Sequence, residues 1–478
     1  MWARAGWARA GWARAGWALP LVVAAVLGGW RLTGPSLWAD ELATWGAVRL
    51  SWAQLWDLSG SVDAVLTPYY AMMKAYAAVA GTSTAALRLP AVVAVVATTG
   101  VVTLLGRRVS AGTGLTAGLL FAILPVTSRY AQEARPYAFV MLCAALAALC
   151  LIRLREEPTT GRVLGYAGVV LAAGLVHPLS CLLMLGGHAV AVARWQAGHR
   201  TQWRTTLLWA TAATVAALPA VLLLALGTRQ LTQVSWIERL GLNAFQAVPA
   251  GVFLSASAGG LVLALAVLGV RHRPELVALA CAAFVPTVLL LVSGTLAEVW
   301  VARYVVGTVP AFAVLAAAAA ARFGGPSATA VLVLAGVLTF PTQVGLRDDD
   351  GHSQASSRVA DVIGPRYRPG DVVVFPDTHR SIPWAPRDIY ERYLTAPRPP
   401  DVLRTEAPRS GGRLPARECP GAACLGTPPR IWVIRMDSAG DPLKDMAPAK
   451  RDRIRASYRS VQRWQFPLLV VVLLERTP

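Results

Sequence analysis

The chain has 478 residues, of which 55% are hydrophobic and only 15% are charged, whereas a soluble globular protein is about 45–50% apolar and about 25% charged. This composition excludes an ordinary soluble enzyme. The formal net charge of +19 would suggest a nucleic-acid partner in a soluble protein, but residues 1–345 hold 23 Lys and Arg with 10 Asp and Glu, and residues 346–478 hold the other 22 and 16. We therefore expect a membrane domain, then a soluble domain, and no nucleic-acid partner.

The first 16 residues repeat the sequence WARAG three times. A five-residue period matches neither an α-helix nor a heptad, so we interpret this segment as a low-complexity tail. The alternative is an interfacial anchor, because Trp and Arg side chains suit the headgroup zone. In both cases Arg4, Arg9 and Arg14 predict a cytoplasmic N-terminus.

The next 330 or so residues contain a series of apolar segments, and a helix needs about 20 such residues to cross a bilayer. Segment 64–80 is ambiguous, because it is apolar but contains Pro68 and Lys74. It could be a twelfth span or an interfacial helix. Eleven clearer spans are predicted at 17–32, 85–105, 112–127, 137–152, 163–176, 179–193, 205–226, 245–270, 276–292, 304–321 and 328–344.

The distribution of Arg favours eleven spans. With segment 64–80 on the outer face, 14 of the 23 basic residues before residue 346 fall on cytoplasmic segments, as the positive-inside rule requires. The protein is then a multi-pass plasma-membrane protein with a long outer loop at 33–84 and an extracytoplasmic C-terminal domain. Within that loop, Trp residues at helical spacing over 37–58 predict one amphipathic helix along the membrane surface.

The C-terminal segment 346–478 alternates turn signals with short strand-like runs at 371–375, 430–435 and 466–474, and 387–394 is typical of a helix. We predict a small α/β domain. Cys419 and Cys424 are close enough in sequence to form a disulfide, which an extracytoplasmic compartment permits. Two free thiols are the alternative.

The membrane part has few acidic residues, and most of them fall on outer segments. Asp and Glu contribute little to orientation, so this clustering suggests a site at the outer face. Asp40 and Glu41 follow the first span directly, where adjacent carboxylates can act as a general base, bind a metal or bind sugar hydroxyls. The structural alternative is a pair of acidic residues at a helix N-terminus. The outer set is Asp40, Glu41, Asp57, Asp63, Glu133, Glu238 and Glu298.

A second polar group, in the segment SRYAQEARPY, ends the third span on the same face. Arg can bind phosphate bidentately, and Glu with Gln can bind a sugar. The structural alternative is a solvated turn with an internal Glu133–Arg135 ion pair. The candidate binding residues here are Arg129, Tyr130, Gln132, Glu133, Arg135 and Tyr137.

The order of several short motifs resembles the C-type glycosyltransferases of the protein-mannosyltransferase-like superfamily (family 39), including relatives of lipid A aminoarabinose transferase. The resemblance covers most of residues 17–345. The motifs are Trp38-Ala39-Asp40-Glu41, Asp63 with Pro68-Tyr69-Tyr70, Leu87-Arg88-Leu89-Pro90, Gly106-Arg107-Arg108, the segment from Ser128 to Tyr137, His177, Trp236-Ile237, and Arg303-Tyr304 with Pro310.

This resemblance implies an α-helical polytopic membrane fold of the C-type glycosyltransferase (GT-C) kind. It also implies transfer of a sugar, mannose or another such as a pentose, from a polyprenyl-phosphate donor to a lipid, polysaccharide or protein acceptor on the outer face. By the same analogy Asp40 deprotonates or orients the acceptor hydroxyl and Glu41 supports it. A divalent cation at Asp40 or Glu133 is left open, and no other cofactor is expected.

The remaining residues carry binding roles by the same analogy. Glu133 and Arg135 line the sugar or phosphate pocket, and Arg303 with Tyr304 stabilises the departing lipid phosphate. The other residues expected to contact substrate are Asp63, Tyr69, Tyr70 and His177.

Two other classes of function are considered. A transporter or flippase of a lipid-linked or small solute should place ionisable residues near mid-membrane and often shows inverted repeats, whereas the charged residues here collect at the ends of spans. A catalytically inactive scaffold is the other alternative. The chain has no Walker-type glycine loop and no Cys/His zinc spacing.

Overall fold

A computed structural model describes residues 17–198, 203–230, 236–376, 382, 384–437 and 440–478, and the predicted tail 1–16 lies outside the described residues. The chain forms two compact units. The described residues of the first, the membrane unit, lie within 17–32, 85–229 and 237–345. Those of the second, the C-terminal unit, lie within 33–84, 230–236 and 346–478.

The helices are numbered in chain order. They are α1 Trp17–Gly29, α2 Ala39–Val48, α3 Trp52–Ser61, α4 Thr67–Ala80, α5 Thr84–Arg107, α6 Ala111–Ile123, α7 Pro125–Ala131, α8 Tyr137–Glu156, α9 Thr160–Val176, α10 Pro178–Gly198, α11 Trp203–Gly227, α12 Val248–Phe253, α13 Ala256–Gly269, α14 Pro274–Leu296, α15 Val309–Ala321, α16 Gly325–Gly345, α17 Arg358–Ile363, α18 Ala385–Tyr393 and α19 Pro448–Ser457.

The membrane unit consists of apolar helices. In the described part of the chain, seven helices are long and apolar enough to cross a bilayer: α5, α8, α10, α11, α14, α16, and α15 with the turn before it. Two bent pairs, α6 with α7 and α12 with α13, pass the same test together, and α1 and α9 are shorter apolar helices. Every one of the eleven predicted spans coincides with one of these helices or pairs. The predicted polytopic helical fold is confirmed.

Two predicted spans are broken. The α6–α7 pair bends by 63°, because Pro125 begins α7 and proline cannot donate a backbone hydrogen bond to the preceding turn. The α12–α13 pair bends by 102° around Leu254, whose φ of 59° is left-handed. The spans predicted at 112–127 and 245–270 are therefore each two helices.

Helix α15 lies at the centre of the membrane unit, where 83% of its span is buried. Its alanine-rich surface lets neighbouring helices approach closely. On α13, a Cβ at Gly269 would lie 2.0 Å from the carbonyl oxygen of Leu315. Only glycine fits at this crossing.

A buried polar chain connects three other helices of the same unit. The indole N–H of Trp209 donates to the Tyr166 hydroxyl at 2.9 Å, and that hydroxyl lies 2.8 Å from Nδ1 of His188. Tyr166 and His188 are fully buried, so this chain links α9, α10 and α11 through groups that would otherwise be unsatisfied.

The C-terminal unit contains a four-stranded mixed sheet, as the predicted α/β domain requires. The strand order is β1-β4-β6-β5, with β1 parallel to β4 and the other pairs antiparallel. The predicted strands fall on β1, β4 and β6 and the predicted helix on α18, whereas β5 and α19 were not predicted. The strands are β1 Val372–Val374, β2 Arg404–Glu406, β3 Arg417–Glu418, β4 Arg430–Arg435, β5 Tyr458–Phe466 and β6 Leu469–Arg476. A disulfide joins Cys419 to Cys424.

The outer loop 33–84 was predicted as part of the membrane domain, but it packs within the C-terminal unit. The single amphipathic helix predicted at 37–58 is wrong. Helix α2 ends at Val48 and is buried along nearly its whole length. Helix α3 then begins with a capping box, in which Ser51 Oγ accepts from the Gln54 N–H at 3.1 Å and Gln54 Oε1 accepts from the Ser51 N–H at 2.9 Å. Only α3 exposes its Trp residues, Trp52 and Trp56.

Helix α4, which covers the ambiguous segment 64–80, has 14 residues. It is not among the helices long enough to cross a bilayer. This length agrees with the interfacial helix considered for the segment. The described residues give seven spans, or up to nine if each bent pair is one span, so the count of eleven stays a prediction.

Candidate functional site

The predicted site residues divide between the two units, and each unit is described by itself. The C-terminal unit contains Asp40, Glu41, Asp63, Tyr69 and Tyr70. The membrane unit contains Arg129, Tyr130, Gln132, Glu133, Arg135, Tyr137, His177, Arg303 and Tyr304.

Asp40 and Glu41 lie in the first turn of α2, where the helix dipole stabilises negative charge. The residue before this helix is Trp38, whose indole has no acceptor to cap the exposed backbone N–H groups. The N–H of Ala39 instead donates to Oε1 of Gln354 at 2.9 Å. The cap of the helix that carries the carboxylates therefore comes from a residue 315 positions later.

The segment 349–356, here called the clamp segment, also binds Ser36 and Leu37, which lie shortly before α2. The Ser36 hydroxyl donates to the Gln354 carbonyl at 2.7 Å, and the Ser356 N–H donates to Ser36 Oγ at 2.9 Å. The Ser356 hydroxyl donates to the Leu37 carbonyl at 2.7 Å. Ser36, Gln354 and Ser356 are all buried, so these bonds are shielded from water.

The two carboxylates differ in their surroundings. Glu41 is fully buried, and its Oε2 lies 3.6 Å from Nδ1 of His352, which is also fully buried and belongs to the clamp segment. Asp40 is only partly buried as a residue, although its Oδ2 is buried. The two residues therefore differ in burial, and the division of roles expected from the sequence stays a prediction.

Asp63 lies in the same unit with a left-handed φ of 54°. It accepts a hydrogen bond from the Tyr70 hydroxyl at 3.0 Å, and the ring of Tyr70 lies 6.1 Å from that of Tyr69. Tyr69 and Tyr70 are almost fully buried. These three residues are brought together, but mostly by contacts with one another.

Arg409 is a charged residue near this group that was not singled out from the sequence. It binds both carboxylate oxygens of Asp388, at 3.0 and 2.6 Å. Burial alone would lower the pKa of the Arg409 guanidinium, but the charge of Asp388, and more weakly that of Asp63, raises it. The buried arginine therefore keeps its charge.

In the membrane unit, the turn from α7 to α8 contains a buried ion pair. Arg129 pairs with Glu133 four residues later, and Glu133 and Arg135 are buried. The turn is therefore not solvated, as the structural alternative considered above had expected.

Gln132 has a structural role that was not expected. Its Nε2 donates to the carbonyls of Gly28 at 3.0 Å and Trp30 at 2.7 Å, so it fastens the end of α1. Both amide hydrogens are used by the backbone and are not available to a sugar.

The other predicted residues of this unit form one group, here called the polar–aromatic cluster. The ring of Tyr137 lies 5.2 Å from that of Tyr130 and 5.8 Å from that of His177, and His177 lies 5.1 Å from Tyr304. Arg303 Nε donates to the Tyr137 hydroxyl at 2.8 Å. The cluster consists of Arg129, Tyr130, Glu133, Arg135, Tyr137, His177, Arg303 and Tyr304.

His177, between α9 and α10, is neutral in this cluster. Burial, together with the charges of Arg135 and Arg303, lowers the pKa of its imidazole to about 3. Its Nδ1 accepts the backbone N–H of Ser180 at 3.3 Å, so its Nε2 carries the hydrogen. The ring is thus a neutral hydrogen-bond donor.

The cluster contains several charged side chains. Arg129, Arg135 and Arg303 lie in it together with Glu133, and His177 is neutral. Arginines held in place by a protein stabilise phosphate through charge-assisted hydrogen bonds. The cluster can therefore bind an anion.

A small apolar cavity of about 30 Å³ lies between α8, α10, α14 and α15. Tyr304 of the cluster and Ser180 are part of its lining, and most of the other walls are aliphatic. The polar–aromatic cluster thus adjoins this apolar cavity.

For a metal, no three His, Cys, Asp or Glu side chains of the described residues lie close enough together to hold an ion.

The chain is similar to known proteins in sequence and in structure. The family profile "Dolichyl-phosphate-mannose-protein mannosyltransferase" matches residues 67–224. ArnT from Cupriavidus metallidurans in the apo state matches with a TM-score of 0.57 and 14% identity, over 98% of both chains. The same protein bound to undecaprenyl phosphate matches with a TM-score of 0.58 and 14% identity, over 97% of this chain and 98% of that one. No curated protein matches.

The chain has the fold of the C-type glycosyltransferases. The fold expected from the motif resemblance is thereby confirmed. Within this GT-C fold, Arg88 of the motif Leu87-Arg88-Leu89-Pro90 is fully buried, and its Nη1 donates to the Leu32 carbonyl at 2.8 Å. This motif arginine therefore holds the chain just after α1.

The sequence reasoning missed His352, Gln354 and Arg409 of this GT-C protein. All three come from the C-terminal segment, which has no recognised motif. One signal was present for His352: it is one of only 6 His residues in the chain and directly follows the last span.

Proposed function

We propose that the protein is an integral-membrane glycosyltransferase that moves a sugar from a polyprenyl-phosphate donor to an acceptor on the outer face of the plasma membrane. The observation that carries this proposal is the polar–aromatic cluster, which brings Arg129, Arg135 and Arg303 together with aromatic side chains. Arginine side chains bind the oxygens of a lipid phosphate through charge-assisted hydrogen bonds. The GT-C fold and the relative bound to undecaprenyl phosphate support it.

In the proposed reaction, Asp40 accepts the proton of the acceptor hydroxyl as that oxygen attacks the anomeric carbon of the sugar. The bond from that carbon to the phosphate oxygen breaks, and polyprenyl phosphate leaves with the bonding electrons. Negative charge grows on the phosphate during this step, and a preorganised Arg303 would stabilise it. The neutral imidazole of His177 would donate a hydrogen bond to an oxygen of the polyprenyl-phosphate sugar without adding charge.

The orientation is part of this proposal. A cytoplasmic N-terminus and an extracytoplasmic C-terminal unit agree with the Arg distribution. An affinity tag at the C-terminus should be cleaved by protease added to intact spheroplasts, and one at the N-terminus should be protected.

The decisive experiment uses the full chain in lipid nanodiscs with a panel of polyprenyl-phosphate sugars that includes mannose and pentose donors, with and without EDTA. Asp40→Asn should reduce kcat by about 10²–10⁴-fold, the range for loss of a general base, while donor binding persists. Asp57→Asn is the matched control, because Asp57 is an exposed carboxylate of the same loop and its loss should leave kcat unchanged. Normal transfer by Asp40→Asn would remove the central claim.

The phosphate site is tested separately. Arg303→Gln should weaken binding of both the donor and free polyprenyl phosphate, because it removes a positive charge and the bond to Tyr137. If every donor is translocated across the vesicle membrane and none is hydrolysed or transferred, the transporter alternative replaces this proposal.

A further inference from the structure

The inference concerns how the carboxylates of α2 are held in position. The first backbone N–H groups of any α-helix lack partners within the helix, and a cap is usually supplied by the residue just before it. At α2 that residue is Trp38, which has no acceptor. The acceptor is Oε1 of Gln354, 2.9 Å from the N–H of Ala39.

The amide of Gln354 is itself fixed. Its Nε2 donates to Ser356 Oγ at 2.7 Å, and the Ser356 hydroxyl donates to the Leu37 carbonyl. Gln354 and Ser356 are fully buried. The oxygen of the amide is therefore turned toward α2, because the nitrogen is held by a neighbour that also binds the chain before α2.

Asp40 lies between residues that the clamp segment contacts. Ser36, Leu37 and Ala39 are bound on one side of it, and Glu41 faces His352 on the other. Asp40 itself is partly exposed as a residue, although its Oδ2 is buried. Contacts of this kind fix the backbone on both sides of Asp40.

We propose that Gln354 is a positioning residue for the proposed catalytic base, capping α2 from the far side of the sequence and so coupling the C-terminal segment to Asp40. The expected effect of Gln354 on kcat rests on the proposed function. A displacement of about 1 Å at a reacting group can reduce a rate by about 10²-fold, so loss of the cap should reduce kcat although Gln354 does not touch substrate.

The test compares Gln354→Met, which is of similar size but has no acceptor oxygen, with Gln354→Glu, which keeps an oxygen at the same reach and suits a helix N-terminus. Tyr458→Phe is the matched control. It removes one buried hydrogen bond of the same unit, from the Tyr458 hydroxyl to the Pro428 carbonyl at 2.8 Å, without touching α2.

Two readouts are made on the full chain in nanodiscs. In Gln354→Met, amide hydrogen exchange in residues 36–42 should be about 2- to 30-fold faster, the factor expected for loss of a helix cap. The kcat should fall at least about 10-fold with the donor KM little changed. Gln354→Glu should restore both, and Tyr458→Phe should change neither.

Wild-type exchange at 36–42 in Gln354→Met, or a kcat equal to that of Tyr458→Phe, would overturn the proposal. If the wild-type protein transfers no sugar at all, the proposed function fails, and the exchange measurement alone still decides whether Gln354 caps α2. If Gln354→Met does not fold, Gln354→Asn is used instead, since it keeps the amide but withdraws the oxygen from Ala39, and the same outcomes apply.

Discussion

Replacing Gly46 by Ala tests whether α2 is packed as tightly as the structure indicates. A Cβ at Gly46 would lie 2.2 Å from Arg409 Cζ and 2.4 and 2.5 Å from its two terminal nitrogens. A flexible arginine would normally move away. This one is buried and bound through both nitrogens to Asp388, so it cannot move without separating the ion pair.

The expected magnitude combines two opposing effects. Alanine is better than glycine inside a helix by about 0.5–1 kcal/mol, whereas breaking a buried ion pair costs about 3–5 kcal/mol. The net loss is about 2–4 kcal/mol. At about 2–4 °C per kcal/mol for a unit of this size, Gly46→Ala should lower the Tm by about 4–16 °C, measured by tryptophan fluorescence of the purified protein in detergent.

Gly60→Ala supplies the matched control. Gly60 lies in α3 of the same unit, and no atom would lie within 4 Å of its added Cβ, so this variant should have an unchanged or slightly higher Tm. Gly46→Ala should also be much better tolerated in an Arg409→Met background, because the clash is then absent and the two effects are not additive. Equal Tm values for Gly46→Ala and Gly60→Ala would refute the reasoning.

Two further predictions concern groups outside the site. Burial would raise the pKa of Glu418, but Arg387 and Lys450 together lower it. The ionised Glu418 therefore stabilises the fold above about pH 4.3, the usual pKa of Glu. This stabilisation is lost as the pH falls through the lowered folded-state pKa. Glu418→Gln should therefore flatten the fall of Tm on acidification, and an unchanged slope would contradict this. In the membrane unit, Tyr166→Phe should reduce the free energy of unfolding by about 1–3 kcal/mol, because Trp209 loses its buried acceptor. A denaturant titration that gives wild-type stability would show that the hydrogen bond between Trp209 and Tyr166 is unimportant.

The spans were predictable because apolar length and the asymmetry of Arg are properties of the chain itself. The break at Pro125 could also have been predicted, since proline ends a helix. The bend at Leu254 could not, because nothing about a leucine predicts a left-handed φ. The capping box from Ser51 to Gln54 was a readable signal, and it would have divided the helix predicted at 37–58.

The site was predictable only in part, for a physical reason. Motif order grouped the correct residue types, and Tyr137, His177 and Arg303 do meet in the membrane unit. The contacts of Gln354 and His352 with α2 depend on tertiary packing between distant segments, and no local pattern reports them. The bonds of Gln132 to the end of α1 were not predicted either, because a glutamine amide suits a backbone carbonyl as well as a sugar.

The distant cap on α2 also sets an order of events during synthesis. Helix α2 leaves the ribosome early, but Gln354 follows 315 residues later, which at about 5–20 residues per second is a delay of about 15–60 s. Throughout that interval the segment bearing Asp40 is outside the bilayer without its partner. A nascent chain therefore acquires a fixed carboxylate only after its last span has been inserted, so a chain released early should be membrane-bound and inactive.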